Sequence, residues 1–151
     1  MRARHSFTLA TTAAAIFGAL DSAHASAPAL DAVPAPIPIP AVRCEPLTIP
    51  FDADEARLPA TAQSALEALA KCLITSGQAA RVEGHTEERG TPEYALAIAE
   101  RRAKAVASAL VGLGVSPARI KTLSYGHERP ICTQPTETCR AKNRRGEVVP
   151  E

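Results

Sequence analysis

The sequence GHTEERGTPEYALAIAER, residues 84–101, decides the fold of this chain. It places an acidic loop, interrupted by Gly90, directly before a helix that Thr91 caps and that carries the paired Arg101 and Arg102. Acidic side chains in such a loop can bind an amine, whereas a helix N-terminus and an arginine can bind a carboxylate. The stretch therefore predicts a strand, a loop and a helix that together bind a ligand carrying both charges.

Alternating strand and helix signals surround this stretch. The predicted strands are Leu47 to Phe51, Ala79 to Glu83, Ile120 to Tyr125 and Gly146 to Val149. The predicted helices are Pro59 to Thr75 and the segment from the cap Thr91 to Gly114. Pro50 cannot donate a ladder bond, so it indicates a bulge or the end of the first strand. This order predicts an α+β two-layer sandwich, with helices packed on one face of a mixed four-stranded sheet.

Apolar spacing identifies the side of each helix that is buried. The first helix has one apolar stripe, formed by Ala62, Leu66, Leu69 and Leu73. The second helix is expected to bury Ile98, Val106, Ala109, Leu110 and Leu113. With three Phe and no Trp, the core is mostly aliphatic and small, and a core of that size gains from cross-links.

The N-terminal residues have the features of a secretory signal peptide. A basic head precedes an uncharged apolar run, and the small-x-small sequence Ala23-His24-Ala25 suits cleavage, so residues 1–25 are the predicted signal. The apolar run is shorter than the roughly 20 residues that span a bilayer, which makes an uncleaved anchor the weaker alternative. The first cysteine, Cys44, is too far along for a lipobox. We expect a periplasmic protein, soluble or peripherally associated with the outer membrane and cell wall, with no transmembrane segment after cleavage.

A Pro/Ala-rich segment, residues 26–43, separates the signal from the predicted domain, residues 44–151. Its prolines favour an extended tether, although a plain disordered N-terminus explains the same composition. The chain has 17 Lys+Arg against 16 Asp+Glu, a net charge of +1, so nucleic acid is not an expected partner.

Four cysteines in an exported chain favour disulfides, and three pairings are possible. Cys132 and Cys139 are close in sequence, in a Pro/Thr-rich loop between the third and last strands. Cys44 precedes the first strand, and Cys72 lies near the end of the first helix. Because that helix runs back along its strand, its end lies beside the strand's beginning. We therefore predict the pairs Cys44–Cys72 and Cys132–Cys139.

The motifs GHTEERGTPEY, AERRAKAV, SYGHERP and NRR resemble those of the OmpA-like C-terminal domain family, and within it the peptidoglycan-associated lipoprotein (Pal) branch. The resemblance covers about Leu47 to Val149, with the motifs in order and at the usual spacing. It implies an OmpA-like βαβαβ(β) sandwich that binds the peptide stem of peptidoglycan without catalysis, by gripping a diaminopimelate residue.

The resemblance also implies the site residues. An acid in the loop meets the ligand's amine, which by position is Glu87, and the second arginine of the RR pair meets its carboxylate, which is Arg102. The remaining predicted ligand-binding residues are Thr86, Gly90, Thr91 and Arg145. Arg145 could be a supporting charge or a direct contact. Truncating Arg102 is expected to weaken binding at little cost in stability.

The sequence departs from the family pattern at three places. Glu87 replaces an aspartate, which keeps the charge but adds a methylene and makes the carboxylate less fixed in its loop. Ala95 stands where the family usually has Asn. At Gly146-Glu147 the last strand lacks the usual apolar residues.

Simpler interpretations of the same residues remain open. Glu87 and Glu88 could be solvated loop acids, and the paired arginines could lie on an exposed helix face. His85, His127 and Glu87 could supply metal ligands, but they lack helical ligand spacing. Adjacent acids in a loop also point apart, which disfavours a glycan-cleaving pair. We predict no catalytic residue, no metal and no cofactor.

Two functions from different classes follow. The first is non-catalytic peptidoglycan binding in the periplasm that contributes to attachment of the outer membrane to the cell wall or to envelope integrity. The second is a structural or protein-interaction domain that has lost strong peptidoglycan binding and contacts envelope proteins of the outer membrane or of the Tol-Pal type.

Overall fold

The computed structural model describes residues 42–151, which form four strands and three α-helices. The strands are β1 (Leu47–Pro50), β2 (Ala80–His85), β3 (Ile120–Ser124) and β4 (Arg145–Pro150). The helices are α1 (Gln63–Ser76), α2 (Pro92–Gly112) and α3 (Glu137–Asn143). Short 3-10 turns precede α1 and β3 at Ala60–Ala62 and Pro117–Arg119.

The strands form one mixed sheet in the order β1-β4-β2-β3. β4 pairs antiparallel with both β1 and β2, and β2 pairs parallel with β3. The parallel pair requires a crossover, which α2 provides. The predicted fold class, with its mixed four-stranded sheet, is therefore confirmed.

The core lies between the sheet and the two longer helices. Ile49, Val82 and Val148 point from the sheet into it, where they join apolar residues of α1 and α2. Gly84 lies on the same face, where β2 and α2 approach so closely that an added Cβ would stand 1.8 Å from the carbonyl oxygen of Ala99. This contact sets the spacing between the sheet and α2.

The ends of α1 and α2 follow local chemistry. The Thr91 side chain accepts a bond from the amide of Tyr94, and Pro92 occupies the first turn of α2, where no amide partner is required. Gly77 ends α1 with a left-handed φ of 73°. The predicted stripe of α1 is buried as expected, but Leu113, predicted to be buried on α2, is exposed. Leu113 lies past the last turn of α2, beyond the part that packs on the sheet.

The structure contains one helix that the sequence pattern did not reveal. The segment predicted as a loop between the third and last strands includes α3, which begins after Thr136, whose side chain accepts a bond from the amide of Cys139. Pro130 and Pro135 precede this cap, and because prolines are typical of loops the sequence pattern indicated a loop here. The sequence also started α1 too early, at Pro59, because a 3-10 turn precedes the α-helix.

Two disulfides are present, Cys44–Cys72 and Cys132–Cys139, which are the predicted pairs. Cys44 lies just before β1, beside the last turns of α1, so this bond joins the start of the domain to its first helix. The amide of Cys44 also donates to the Gln78 side chain. Cys132–Cys139 joins the loop before α3 to α3 itself.

Loss of the first disulfide is expected to destabilise the domain more than loss of the second. The bonds separate residues 28 and 7 apart in sequence. In the chain-entropy model they contribute about 3.6 and about 2.4 kcal/mol respectively. Cys44→Ser should therefore lower the Tm, measured by circular dichroism, more than Cys132→Ser. Peptide mapping without reductant should recover the two pairs, and a Cys44–Cys132 or Cys72–Cys139 peptide would contradict them.

Within residues 42–151, no helix has both the length and the apolar character needed to cross a membrane. The predicted signal peptide lies outside the described residues, as does the predicted tether apart from Val42 and Arg43.

Candidate functional site

The loop between β2 and α2 forms one wall of a cavity. Thr86 and Glu87 continue from β2 and are buried, and Gly90 then turns the chain with a left-handed φ of 85°. Only glycine adopts this conformation without strain, so Gly90 allows the loop to reach Thr91 and start α2. The predicted residues Thr86, Glu87, Gly90 and Thr91 are thus consecutive parts of one loop and helix start.

The cavity has a volume of about 230 Å³. It is lined by Ala53, Asp54, Thr86, Glu87, Arg89, Gly90 and Tyr94. Asp54 comes from the turn after β1 and has a left-handed φ of 53°, uncommon for a residue with a side chain. It accepts a bond of 2.9 Å from the Tyr94 hydroxyl, and this bond raises the pKa of Tyr94. Two carboxylates, one guanidinium and one phenol therefore surround the cavity.

Two arginines near the C-terminus of the domain hold the carboxylate of Glu87. Arg144 Nη1 donates to Glu87 Oε2 at 3.1 Å, and Arg140 Nε lies 3.7 Å from the same oxygen. Glu137 accepts from both arginines, which lowers its pKa, with the bond from Arg144 the largest cause. Glu87 itself is only 6% exposed. Its carboxylate is therefore fixed by α3 and by the residue that follows this helix, and is not a freely solvated loop acid.

Arg102 does not lie at the cavity surface, contrary to the sequence prediction. It is 0% exposed, and its guanidinium donates to the carbonyls of Glu55, His85 and Asp52 at 2.8, 3.0 and 2.9 Å. Burial, and then the charge of Arg144, lower the pKa of Arg102 to about 10. Arg102 thus joins the turn after β1 to the end of β2, the two segments that carry the cavity walls.

Arg145 also lies elsewhere than predicted. Its side chain points to the other face of the sheet, where it donates to Glu147 and to the carbonyl of Arg129. Its neighbour Arg144 lies just before β4, where its carbonyl accepts from the amide of Phe51, and the Arg144 side chain contacts Glu87. Of the two arginines in the NRR motif, Arg144 is therefore the one whose side chain contacts the cavity loop.

Sequence reasoning missed Asp54, Arg140 and Arg144 as parts of the site. Arg140 and Glu137 have the i, i+3 spacing of a helical ion pair, which could have indicated α3. Asp54 and Arg144 carry no such local signal, since each approaches the site from a segment distant in sequence.

The buried face of Ala95 explains why its departure from the family pattern is tolerated. Ala95 is almost fully buried on α2, and the turn at Gly126, with a left-handed φ of 53°, packs against its backbone. The helix start keeps its backbone bond from the amide of Ala95 to the carbonyl of Thr91. The first turn of α2 therefore forms without an asparagine at position 95.

Comparison with known proteins assigns relatives to this domain. Residues 50–144 match the model of the OmpA family. A peptidoglycan-associated lipoprotein of Pseudomonas aeruginosa is 50% identical over 101 residues, covering 67% of this chain and 60% of that protein. The chain thus spans about 60% of the length of this curated relative.

Solved structures agree with the sequence comparison. The peptidoglycan-associated lipoprotein from Burkholderia pseudomallei superimposes with a TM-score of 0.67 at 35% identity, covering 69% of this chain and 89% of that one. The cell wall anchor of the T6SS from Pseudomonas aeruginosa gives a TM-score of 0.59 at 25% identity, covering 68% of this chain and 78% of that one.

Proposed function

The chain belongs to the OmpA family, and on this premise we propose that its domain binds peptidoglycan in the periplasm without catalysis. Binding of this kind would contribute to attachment of the outer membrane to the cell wall or to envelope integrity. The predicted resemblance to the Pal branch is confirmed, because the similar proteins are named peptidoglycan-associated lipoproteins. The ligand we propose is the peptide stem, gripped at a diaminopimelate residue.

The strongest support for this function is the carboxylate of Glu87, which is held in a fixed position at the cavity. Both arginines near it reach Oε2. Among the side-chain contacts of residues 42–151, none engages Oε1, so this oxygen is placed to accept from a ligand ammonium group. Asp54 lines the same cavity and adds a second negative charge. A diamino acid side chain suits this chemistry, because its ammonium group forms charge-assisted bonds with carboxylates.

The ligand carboxylate needs a donor other than the buried Arg102. Arg89 lines the cavity and is exposed, and Gly90 and Tyr94, at the positive end of the α2 dipole, line it as well. We therefore propose Arg89 and the helix start as the positive end of the site. In this arrangement Arg102 supports the walls and does not contact the ligand.

One observation favours the alternative function. Glu87 already has two arginine partners, so a ligand amine must share its carboxylate with them. A domain with its acid satisfied in this way could bind the cell wall weakly and act instead through envelope proteins. Failure of the folded wild-type chain to bind peptidoglycan sacculi would favour this alternative.

Substitution of Glu87 tests the proposed site. Glu87→Gln should weaken co-sedimentation with insoluble sacculi by about 1.5 to 3 kcal/mol, roughly 10- to 100-fold, because a charge-assisted bond is lost. Glu87→Asp should bind at least as tightly as wild type, since it restores the residue of the family pattern. The measurement is the bound fraction over a range of sacculus concentrations.

Glu88 provides the matched control. It is adjacent to Glu87 in the same loop but is exposed, so Glu88→Gln should leave binding unchanged. Equal binding by Glu87→Gln and wild type would remove Glu87 from the ligand site.

A further inference from the structure

The face of the sheet opposite to the core carries a polar cluster that the proposed function does not use. Glu83 and His85 are two residues apart on β2, and Glu147 of β4 pairs directly with Glu83. Because side chains alternate along a strand, these three lie on the face opposite to Val82 and Val148, which enter the core. The cluster is thus separated from the core and α2 by the sheet.

His85 is buried without hydrogen-bond partners. It is 1% exposed, and neither ring nitrogen has a hydrogen-bond partner within the part of the chain that the structure describes. Tyr125 stacks on the ring with 5.3 Å between centroids, which fixes its orientation. Buried polar side chains in folded proteins are normally paired, so an unpartnered imidazole requires an explanation.

The three side chains are close enough to share one ion. One ligand atom from each lies within 4.8 Å of the others. His85 Nε2 is 3.4 Å from Glu83 Oε2. Two atoms that are each about 2.1 Å from a tetrahedral metal ion lie about 3.4 Å apart, so the observed separation suits a shared ion. Glu83 is also buried, whereas Glu147 is partly exposed and gives access from solvent.

Each carboxylate keeps one oxygen available for an ion. Arg81 Nε donates to Glu83 Oε1 at 2.6 Å, and Arg145 Nε donates to Glu147 Oε1 at 2.5 Å. The oxygen of Glu83 that faces His85 is the other one, Oε2. In metal sites the ligating carboxylates are themselves hydrogen-bonded, which orients them. The two arginines have this orienting geometry.

We propose that Glu83, His85 and Glu147 bind one divalent transition-metal ion, for which Zn²⁺ is the probe. An imidazole nitrogen with two carboxylate oxygens suits Zn²⁺ and similar first-row ions, whereas Ca²⁺ prefers oxygen ligands alone. The ion would cross-link β2 to β4. By the resemblance, Glu147 lies at a position where the last strand of the family has apolar residues. The site goes beyond the proposed function and does not depend on it.

Calorimetric titration of Zn²⁺ into the EDTA-treated full-length chain, prepared without a polyhistidine tag, tests the proposal. We expect one ion per chain and an increase in Tm with Zn²⁺, since an ion that binds only the folded state stabilises it. Ca²⁺ at the same concentration should give neither effect. Absence of saturable Zn²⁺ binding would overturn the proposal, and equal binding of Ca²⁺ would overturn its assignment to a transition metal.

Three variants locate the ion. Glu147→Gln keeps an oxygen for Arg145 and is partly exposed, so the fold should persist while Zn²⁺ affinity falls at least 10-fold. His85→Gln should remove binding and the increase in Tm. His127→Gln is the control, because His127 lies outside the cluster and should leave binding unchanged. Wild-type affinity in Glu147→Gln would overturn the proposed ligand set, even if His85→Gln does not fold.

Discussion

Replacing Gly84 by alanine is expected to destabilise the domain by at least about 3 kcal/mol, at the upper end of the range for overpacked cores. An alanine Cβ would stand 1.8 Å from the carbonyl oxygen of Ala99 and 2.6 Å from its carbonyl carbon. Both atoms belong to the backbone of α2, so no side chain can rotate away. The whole helix must therefore move away from β2. This movement is costly because α2 makes most of the contacts between the sheet and the helices.

The effect of Gly84→Ala is measured by urea denaturation followed by circular dichroism. Gly112→Ala is the matched control, because a Cβ at Gly112 meets nothing within 4 Å and the residue closes α2. Alanine has the higher helix propensity, so the control should be unchanged or stabilised by up to about 1 kcal/mol. If Gly84→Ala unfolds at the wild-type urea concentration, the close approach of β2 and α2 is incorrect.

Replacing Arg102 by alanine is expected to cost about 2 to 4 kcal/mol of folding free energy. The change leaves the buried carbonyl of His85 and the partly buried carbonyls of Asp52 and Glu55 without their donor. It also leaves space beside Phe51, whose ring lies 5.4 Å from the guanidinium carbon. Arg102→Lys should recover only part of the loss, because a single ammonium group cannot donate to three carbonyls that surround the three nitrogens of a guanidinium. The sequence by itself predicts only a small loss of stability for this substitution, and the structure replaces that expectation.

Arg101 gives the control for this prediction. It is the neighbour of Arg102 on α2 and is exposed, so Arg101→Ala should change stability by no more than about 0.5 kcal/mol. Stabilities come from urea denaturation, and sacculus binding is measured at a temperature where each variant is folded. If Arg102→Ala is as stable as the wild type, the structural role of Arg102 is wrong and the ligand contact predicted from the sequence is favoured instead.

The sequence was sufficient for the parts of the fold that depend on local chemistry. The cap at Thr91, the glycine after α1 and the apolar stripe of that helix act over a few residues, so they can be read from spacing alone. The pair Cys44–Cys72 followed from the direction of α1 relative to β1, and the pair Cys132–Cys139 from closeness in sequence. The family resemblance followed from motifs in order, and it is confirmed by the matching model.

The misplacement of Arg102 had a signal that could have been used. Arg102 lies four residues after Ile98 and four before Val106, so it continues the buried stripe of α2. What no local pattern reveals is the set of carbonyls that makes its burial possible. They come from the turn after β1 and the end of β2, far away in sequence.

The sequence by itself thus determined the elements, the family and the loop that carries the acidic residue, whereas tertiary structure decided which charges meet. The pairing of β4 directs Arg145 toward the face away from the core, whereas Arg144, just before β4, contacts Glu87. The same pairing places Glu147 beside His85. Local spacing fixes only the alternation of side chains along a strand, and the face that each one takes is set by pairing with strands distant in sequence.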